Sequence, residues 1–395
     1  MGKYVISVLV MFLSCLWIPG NVLAKTVTDN SPFEYETVSE GENTCRITGI
    51  RIKKDKGISV LKIPGNINGK TVVSIGKGKA EASYASIYYW NTFLLYNGDS
   101  EERWFWDSDI KPYQQREAQQ RRVEKIKKII LPDTIREIRD TAFAGLKSLK
   151  SIKLSKNLTT IGKCAFGDTS VRKMRLPSNV TAMGKQMFLD SPIKEINIPA
   201  KLKVGVPELA RTTASWKHFT ISRKNPYYKV KNGLLFSKDE KVVYAMVHFK
   251  KKISIPDNVE VVWKRSFYNL PMQSLHLGAG VKRIKRAALS TKINCKISIS
   301  PSNRYLTKAG NCIYYKKSRK IVAGMPKNHI LRISRKIKWI GGDGFSVVGI
   351  GKKYLAKKLY IPRSVEKIDY GWRKGTKLHR DCKYITERDY WCLYT

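Results

Sequence analysis

The chain has 395 residues, longer than a usual compact domain, so it holds either several domains or one array of repeats. Its 42% apolar and 10% aromatic residues can build a core, which argues against disorder although 27% of residues are charged. Lys and Arg number 75 against 31 Asp and Glu, a net charge of +44 that points to polyanionic partners: glycans, nucleic acid or an anionic membrane surface.

Residues 1–24 read as a removable export signal, with Lys3, an apolar run from Tyr4 to Ile18 and a small-residue site at Val22-Leu23-Ala24. A second reading, lipoprotein anchoring at Cys15, is opposed by the apolar Leu16, Trp17 and Ile18 that would follow the lipidated residue. No other stretch reaches the roughly 18 to 20 apolar residues that a membrane span needs. The mature chain is therefore expected to be secreted or held at the cell surface, without a transmembrane span. Residues 25–79 read as an N-terminal cap and first repeat unit. Residues 80–122 are an aromatic-rich insertion, in which Trp90, Trp104, Phe105 and Trp106 could stack on sugars or anchor a partner protein, or could form a small private core.

From residue 123 the chain is periodic. An aliphatic residue followed by Pro, or a degenerate form of that dyad, recurs at Leu131-Pro132, Leu154-Ser155, Leu176-Pro177 and Ile198-Pro199. After an irregularity it resumes at Ile255-Pro256, Leu277-Gly278, Ile299-Ser300, Ile333-Ser334 and Ile361-Pro362. Four residues after most of these dyads open lies an aliphatic side chain (as at Ile135, Leu158, Val180), seven after them another apolar one (Ile138, Ile161, Met183), and twelve after them commonly a Phe or Leu (Phe143, Phe166, Phe188). Upstream of each dyad the order is apolar, two variable, apolar, one variable, apolar, as in Leu149 to Leu154. That is the strand of a leucine-rich repeat, with the apolar side chains inward and the variable ones outward. Residues 123–215 form one run of such repeats. Residues 216–373 form a second, in which 221–267 matches 299–345 at a constant offset of 78 residues and each copy inserts a hairpin, as in Asn225 to Phe236.

Residues 374–395 read as a C-terminal cap. The mature chain keeps six cysteines, an even number suited to an oxidising compartment. Cys382 and Cys392 are expected to be disulfide-bonded across a short loop, and Cys295 with Cys312 is a second candidate pair.

The phrase Leu154 to Phe166, the Asn-Pro-x-Tyr hairpin and the opening unit Ile63 to Gly76 together resemble the BspA-like leucine-rich repeat family of bacterial secreted and surface proteins. The resemblance implies an α/β-type repeat solenoid with a concave parallel β-sheet, short helical or irregular convex segments and inserted β-hairpins. It also implies adhesion or binding rather than catalysis. The repeat at Ile198 departs from the pattern by lacking the closing Phe, and Trp372 replaces it near the C-terminus.

Catalytic motifs are not found. Gly65 to Thr71 has three residues between its glycines where a phosphate-binding loop needs four, and the five histidines show no metalloprotease spacing. No cofactor, metal site or catalytic residue is expected. Binding is expected on the outward strand positions, 27 in nine strands, of which 14 are basic: Lys127, Lys128, Lys150, Lys153, Arg172, Lys173, Arg175, Lys194, Lys251, Lys252, Lys296, Arg332, Lys357 and Lys358. Only Glu195 is acidic. Solvated strand positions also take Lys to discourage aggregation, so the pattern has a bland reading too. The sequence thus reads as a monomeric exported binding protein that recognises an extracellular protein or anionic glycan through a basic face. An enzyme or accessory module acting on an acidic polysaccharide is the alternative, as is a non-specific polyanion or extracellular nucleic acid binder. Genomic nucleic acid is not an expected partner.

Overall fold

The computed structural model describes residues 25–26, 32–38, 43–50, 58–76, 123, 125–212, 216–341, 346–353, 355–369 and 383–386. The export signal, the aromatic insertion with Trp90, Trp104, Phe105 and Trp106, and the expected Cys382–Cys392 pair all lie outside these residues.

The chain winds as a β-solenoid. The first parallel ladder holds the strands that end at the dyads, in four three-stranded segments. These are Val60–Lys62, Lys128–Ile130 and Ser151–Lys153; Lys173–Arg175, Glu195–Ile198 and His218–Ile221; Lys252–Ile255, Ser274–Leu277 and Lys296–Ile299; Ile330–Arg332, Lys358–Ile361 and Lys383–Thr386. Register sets Ile129 between Leu61 and Ile152, and Ile196 between Met174 and Phe219, so each strand sends its middle apolar residue inward. The dyad's second residue then opens a corner. The carbonyls of Pro132, Ser155, Pro177, Pro256, Gly278, Ser334 and Pro362 each accept the amide three residues on. That turn drives the aliphatic residue at offset four, such as Ile135, Leu158 or Val180, into the core.

The periodicity predicts one strand per repeat, and the structure has two. A second parallel ladder runs through Thr44–Ile50, Lys70–Ile75, Glu137–Ile138, Thr160–Ile161 and Ala182–Met183. It resumes in Val242–Met246, Val261–Val262 and Arg283–Ile284, and again in Trp339–Ile340 with Lys367–Ile368. The residues at offset seven are its inward side chains. Gly184 follows one of these strands because a Cβ there would lie 2.2 Å from the Lys163 amide nitrogen of the adjacent turn.

The third side is a stack of turns. Thr141, Cys164, Gln186, Arg265 and Ala287, ten residues after their dyads, take left-handed backbone conformations, as do Gly145, Asp168, Asp190 and Asn269 four residues later. Two such residues per turn stop a helix from propagating. The amides between them bond to the neighbouring turn instead: Thr141 to Lys163 at 2.8 Å, Phe143 to Ala165 at 2.9 Å, Phe166 to Met187 at 2.9 Å. These segments are thus irregular, and Val206–Ala210 is the single α-helix among the described residues. Inside the turns, Phe143, Phe166 and Phe188 stack at centroid distances of 5.6 and 5.9 Å.

The two hairpins divide the core rather than hang from it. In the first, Tyr228–Lys231 and Leu234–Ser237 join through Asn232 and Gly233, whose φ of 51° and 82° suit a type I′ turn. Strand alternation then sends Leu235, Ala245 and Val247 into the core below and Leu234, Phe236, Val243 and Met246 into the core above. In the second hairpin Ile313 and Val322 face one core, and Cys312, Tyr314 and Ile321 face the next. This corrects the Cys295–Cys312 pairing. Cys295 belongs to the core on one side of that wall and Cys312 to the core on the other, and both are free thiols, as are Cys45 and Cys164.

Each wall is anchored by a buried asparagine. Asn225 Nδ2 donates to the Pro199 and Leu202 carbonyls at 2.9 and 3.0 Å, and its Oδ1 accepts the amides of Tyr227 and Tyr228 at 2.9 and 3.0 Å. Asn303 repeats the arrangement with Gly278, Val281, Tyr305 and Leu306. The 78-residue period is thus a structural unit: a pair of repeats closed by an asparagine-anchored wall.

Candidate binding face

Because successive strand side chains alternate, the first ladder turns two rows of variable residues outward, and a further row precedes each strand. All fourteen basic residues on these rows are exposed. Register brings some of them together and separates others. Lys128 lies beside Ser151, and Ile130 beside Lys153, with Lys62 on the other flank. Glu195 lies between Lys173 and His218, and Asn197 between Arg175 and Thr220. In the third segment Ser274 stands between Lys252 and Lys296, and the His276 ring meets Ser298 Oγ at 3.0 Å. In the fourth, Lys358 lies beside Lys383, and the Arg332 guanidinium sits 3.8 Å from the centroid of the Tyr360 ring on the neighbouring strand. Cationic density is highest over the first two segments.

Three basic residues of this face were not among the predicted ones: Lys62, Lys217 and Lys383. Lys217 had a signal in the sequence, since Ile221-Ser222 matches Ile299-Ser300 at the 78-residue offset and so marks the strand His218–Ile221.

The charges are weakly compensated. Glu195 accepts Lys173 Nζ at 3.2 Å and Lys217 Nζ at 3.7 Å from the strands on either side. The Lys173 hydrogen bond, with the positive charges of Lys173 and Lys217, holds its carboxyl below the usual range. Lys127, Lys150, Arg172 and Lys194 form no ion pair among the described residues.

The second ladder provides an internal contrast. From Arg136 to Val204 its outward positions are Arg136, Glu137, Thr159, Thr160, Thr181, Ala182, Lys203 and Val204, and Arg283 is a further exposed cation on it. Further on, Glu260 is held between Lys241 at 3.2 Å and Lys282 at 2.6 Å, and Glu366 pairs with Lys338. Solvated strand positions in this chain therefore take threonine or matched charge as readily as lysine.

The buried thiols offer no reactive centre. Burial pushes Cys164, Cys295 and Cys312 up to about 11 and raises Cys45. Among the described residues no group of three His, Cys, Asp or Glu side chains could hold a metal ion, and no helix is long and apolar enough to cross a membrane.

The repeat pattern has known counterparts. The family described as a BspA type leucine-rich repeat region, of six copies, matches residues 120–229 and 242–370. Among solved structures, the pneumococcal vaccine antigen PcpA is 16% identical, with 93% of this chain and 100% of that chain covered and a TM-score of 0.53. A leucine-rich repeat protein from Eubacterium ventriosum is 14% identical over 92% of this chain and 84% of its own, with a TM-score of 0.49. A leucine-rich cell surface protein from Faecalibacterium prausnitzii is 14% identical over 95% and 99%, with a TM-score of 0.45. No curated protein sequence matches the chain. At these identities the likeness to solved structures is one of fold, but the repeat match spans more than half of the residues, and the chain belongs to the BspA-type leucine-rich repeat family.

Proposed function

We propose that this is an exported recognition protein, secreted or held at the bacterial surface, that binds an anionic extracellular macromolecule through the outward face of its first ladder, the concave face of the solenoid. The observation that carries the reading is the contrast between the two ladders. One solenoid displays exposed Lys and Arg, largely without ion-pair partners, at fourteen positions of one strand face, and on the other a mixture of threonine, matched charge and single cations such as Arg136 and Arg283. A scaffold-wide need for solubility would load both faces alike. The reading of residues 1–24 as an export signal supports this, since export would bring such a face to extracellular glycans and proteins.

The test is charge reversal by location. Lys150, Lys153, Arg172, Lys173 and Arg175 changed to Glu should remove most binding to heparin-agarose while leaving the fold intact, since all five are exposed. Five reversals elsewhere, at the exposed Lys185, Lys238, Lys285, Lys308 and Lys317, should cost much less. Equal losses from the two sets would mean that net charge alone draws the polymer and that no binding face exists.

A further inference from the structure

One row of the first ladder differs from the rest. The position four residues before the dyad is basic on five consecutive turns: Lys127, Lys150, Arg172, Lys194 and Lys217, all exposed. Backbone hydrogen bonds at this position tie neighbouring turns, with the Lys150 amide on the Lys127 carbonyl at 2.9 Å, Lys194 on Arg172 at 2.8 Å and Lys217 on Lys194 at 2.9 Å. Residues tied in this way are about one strand spacing, 4.8 Å, apart; Lys150 and Arg172 sit where the first two segments adjoin, and the row covers five turns along the solenoid axis. Lys128, Lys153, Lys173 and Arg175 flank it on the strands themselves. The row is then interrupted. The first hairpin wall follows Ile221, and beyond Lys251 the same position holds Gln273, the buried Cys295 and His329 before Lys357 on the last dyad.

We infer that the ligand of this face is an extended linear polyanion lying along the solenoid axis, across the strands, over the run from Lys127 to Lys217. This rests on the preceding functional reading and narrows it. A row of like charges at strand spacing is unfavourable unless counter-charge arrives, and the single acid here, Glu195, lies at one end between Lys173 and Lys217. The remaining counter-charge must be regular and one-dimensional, as in a sulfated glycan or a linear phosphate polymer. A compact anion reaches only one or two turns, and a folded acidic protein has no reason to match a straight row.

The experiment measures affinity for heparin fragments from disaccharide to dodecasaccharide and for linear polyphosphate, with inositol hexakisphosphate as a compact comparator of high charge. In either linear series affinity should climb with length until the row is covered and then flatten, and the two series distinguish sulfate from phosphate. The compact anion should bind more weakly than a linear probe of equal charge. Lys127, Lys150, Arg172 and Lys194, each changed to Gln, should each lower the slope of log affinity against log salt by about one contact's worth, roughly 0.7 to 0.9. Lys285→Gln and Lys308→Gln, exposed but off this face, should leave the slope unchanged. Binding that ignores length overturns the axial row while leaving the basic face standing. Equal slope losses from the off-face pair, or failure of all long polymers to bind, overturn both.

Discussion

Asn303 shows how much of this fold depends on one side chain at each wall. Truncation to Ala leaves the Tyr305 and Leu306 amides without their acceptor and takes a donor from the carbonyls of Gly278 and Val281. The Gly278 carbonyl keeps the Val281 amide at 3.3 Å, so the larger loss falls on the two amides. An orphaned buried polar group costs about 1–3 kcal/mol; the Leu306 amide is buried and the Tyr305 amide partly so, giving a loss of about 2–4 kcal/mol for Asn303→Ala. Denaturant unfolding measures that loss, and amide hydrogen exchange locates it. Protection should fall across Leu306–Ala309 and Cys312–Tyr315 while Leu234–Ser237 keeps its own, because repeat stability is nearest-neighbour in character. Asn225→Ala should give the mirror image. A loss under about 1 kcal/mol, or equal deprotection of both hairpins by either substitution, would refute the anchoring role.

Phe166→Ala removes a fully buried ring stacked between Phe143 and Phe188 and should cost about 3–5 kcal/mol in denaturant unfolding; a loss below about 2 kcal/mol would show that the ladder repacks freely. Gly184→Ala should lower Tm well beyond Gly69→Ala, because the first brings a Cβ to 2.2 Å from a backbone nitrogen while the second, at φ 79°, has nothing within 4 Å; equal shifts would contradict the close approach. Site-resolved iodoacetamide mapping at pH 8 should leave Cys164, Cys295 and Cys312 unlabelled until denaturant is added, since thiols at about 11 are almost wholly protonated there; rapid native labelling would refute their burial. Hydrogen bonds from Lys229 and Lys282 hold the Glu240 and Glu260 carboxyls below their ordinary 4.5, so their contribution is full above that value and is lost as pH falls through the depressed ones. The Glu240→Gln, Glu260→Gln double variant should then show a flatter fall in Tm below pH 4.5 than the parent, and an unchanged fall would count against those pairs.

What could be read from the sequence follows from what the repeat repeats. Three apolar offsets are enforced by the core, so Leu131, Ile135 and Ile138 and their equivalents carried the period and the first ladder with it. The second ladder left only one apolar residue per turn, because its strands are two residues long over much of the array and too short for alternation to register. The turn stack was less visible still. Thr141, Cys164, Gln186 and Arg265 share a left-handed conformation and no side-chain chemistry, since interturn hydrogen bonds rather than glycine hold it. The first hairpin announced itself by Asn232-Gly233 and the second by the 78-residue offset. Their role as walls depends on alternate residues facing two different cores, which a linear pattern of buried positions does not distinguish from one. The expected Cys295–Cys312 pair failed on that point, since closeness in sequence here spans a partition.

The outward positions obey a different logic, and this is why the basic face was readable while its geometry was not. The fold tolerates Thr159, Thr160 and Thr181 on one ladder and Lys128, Lys150 and Lys173 on the other, using the same inward phrase for both. Packing therefore does not select the charge. Electrostatic stability would select against it, because register sets neighbouring cations one strand spacing apart. The chain also shows that it can neutralise such positions, as Glu260 does between Lys241 and Lys282. An arrangement that packing ignores, that self-repulsion opposes and that the same chain corrects elsewhere is the ground on which the proposed anionic partner rests.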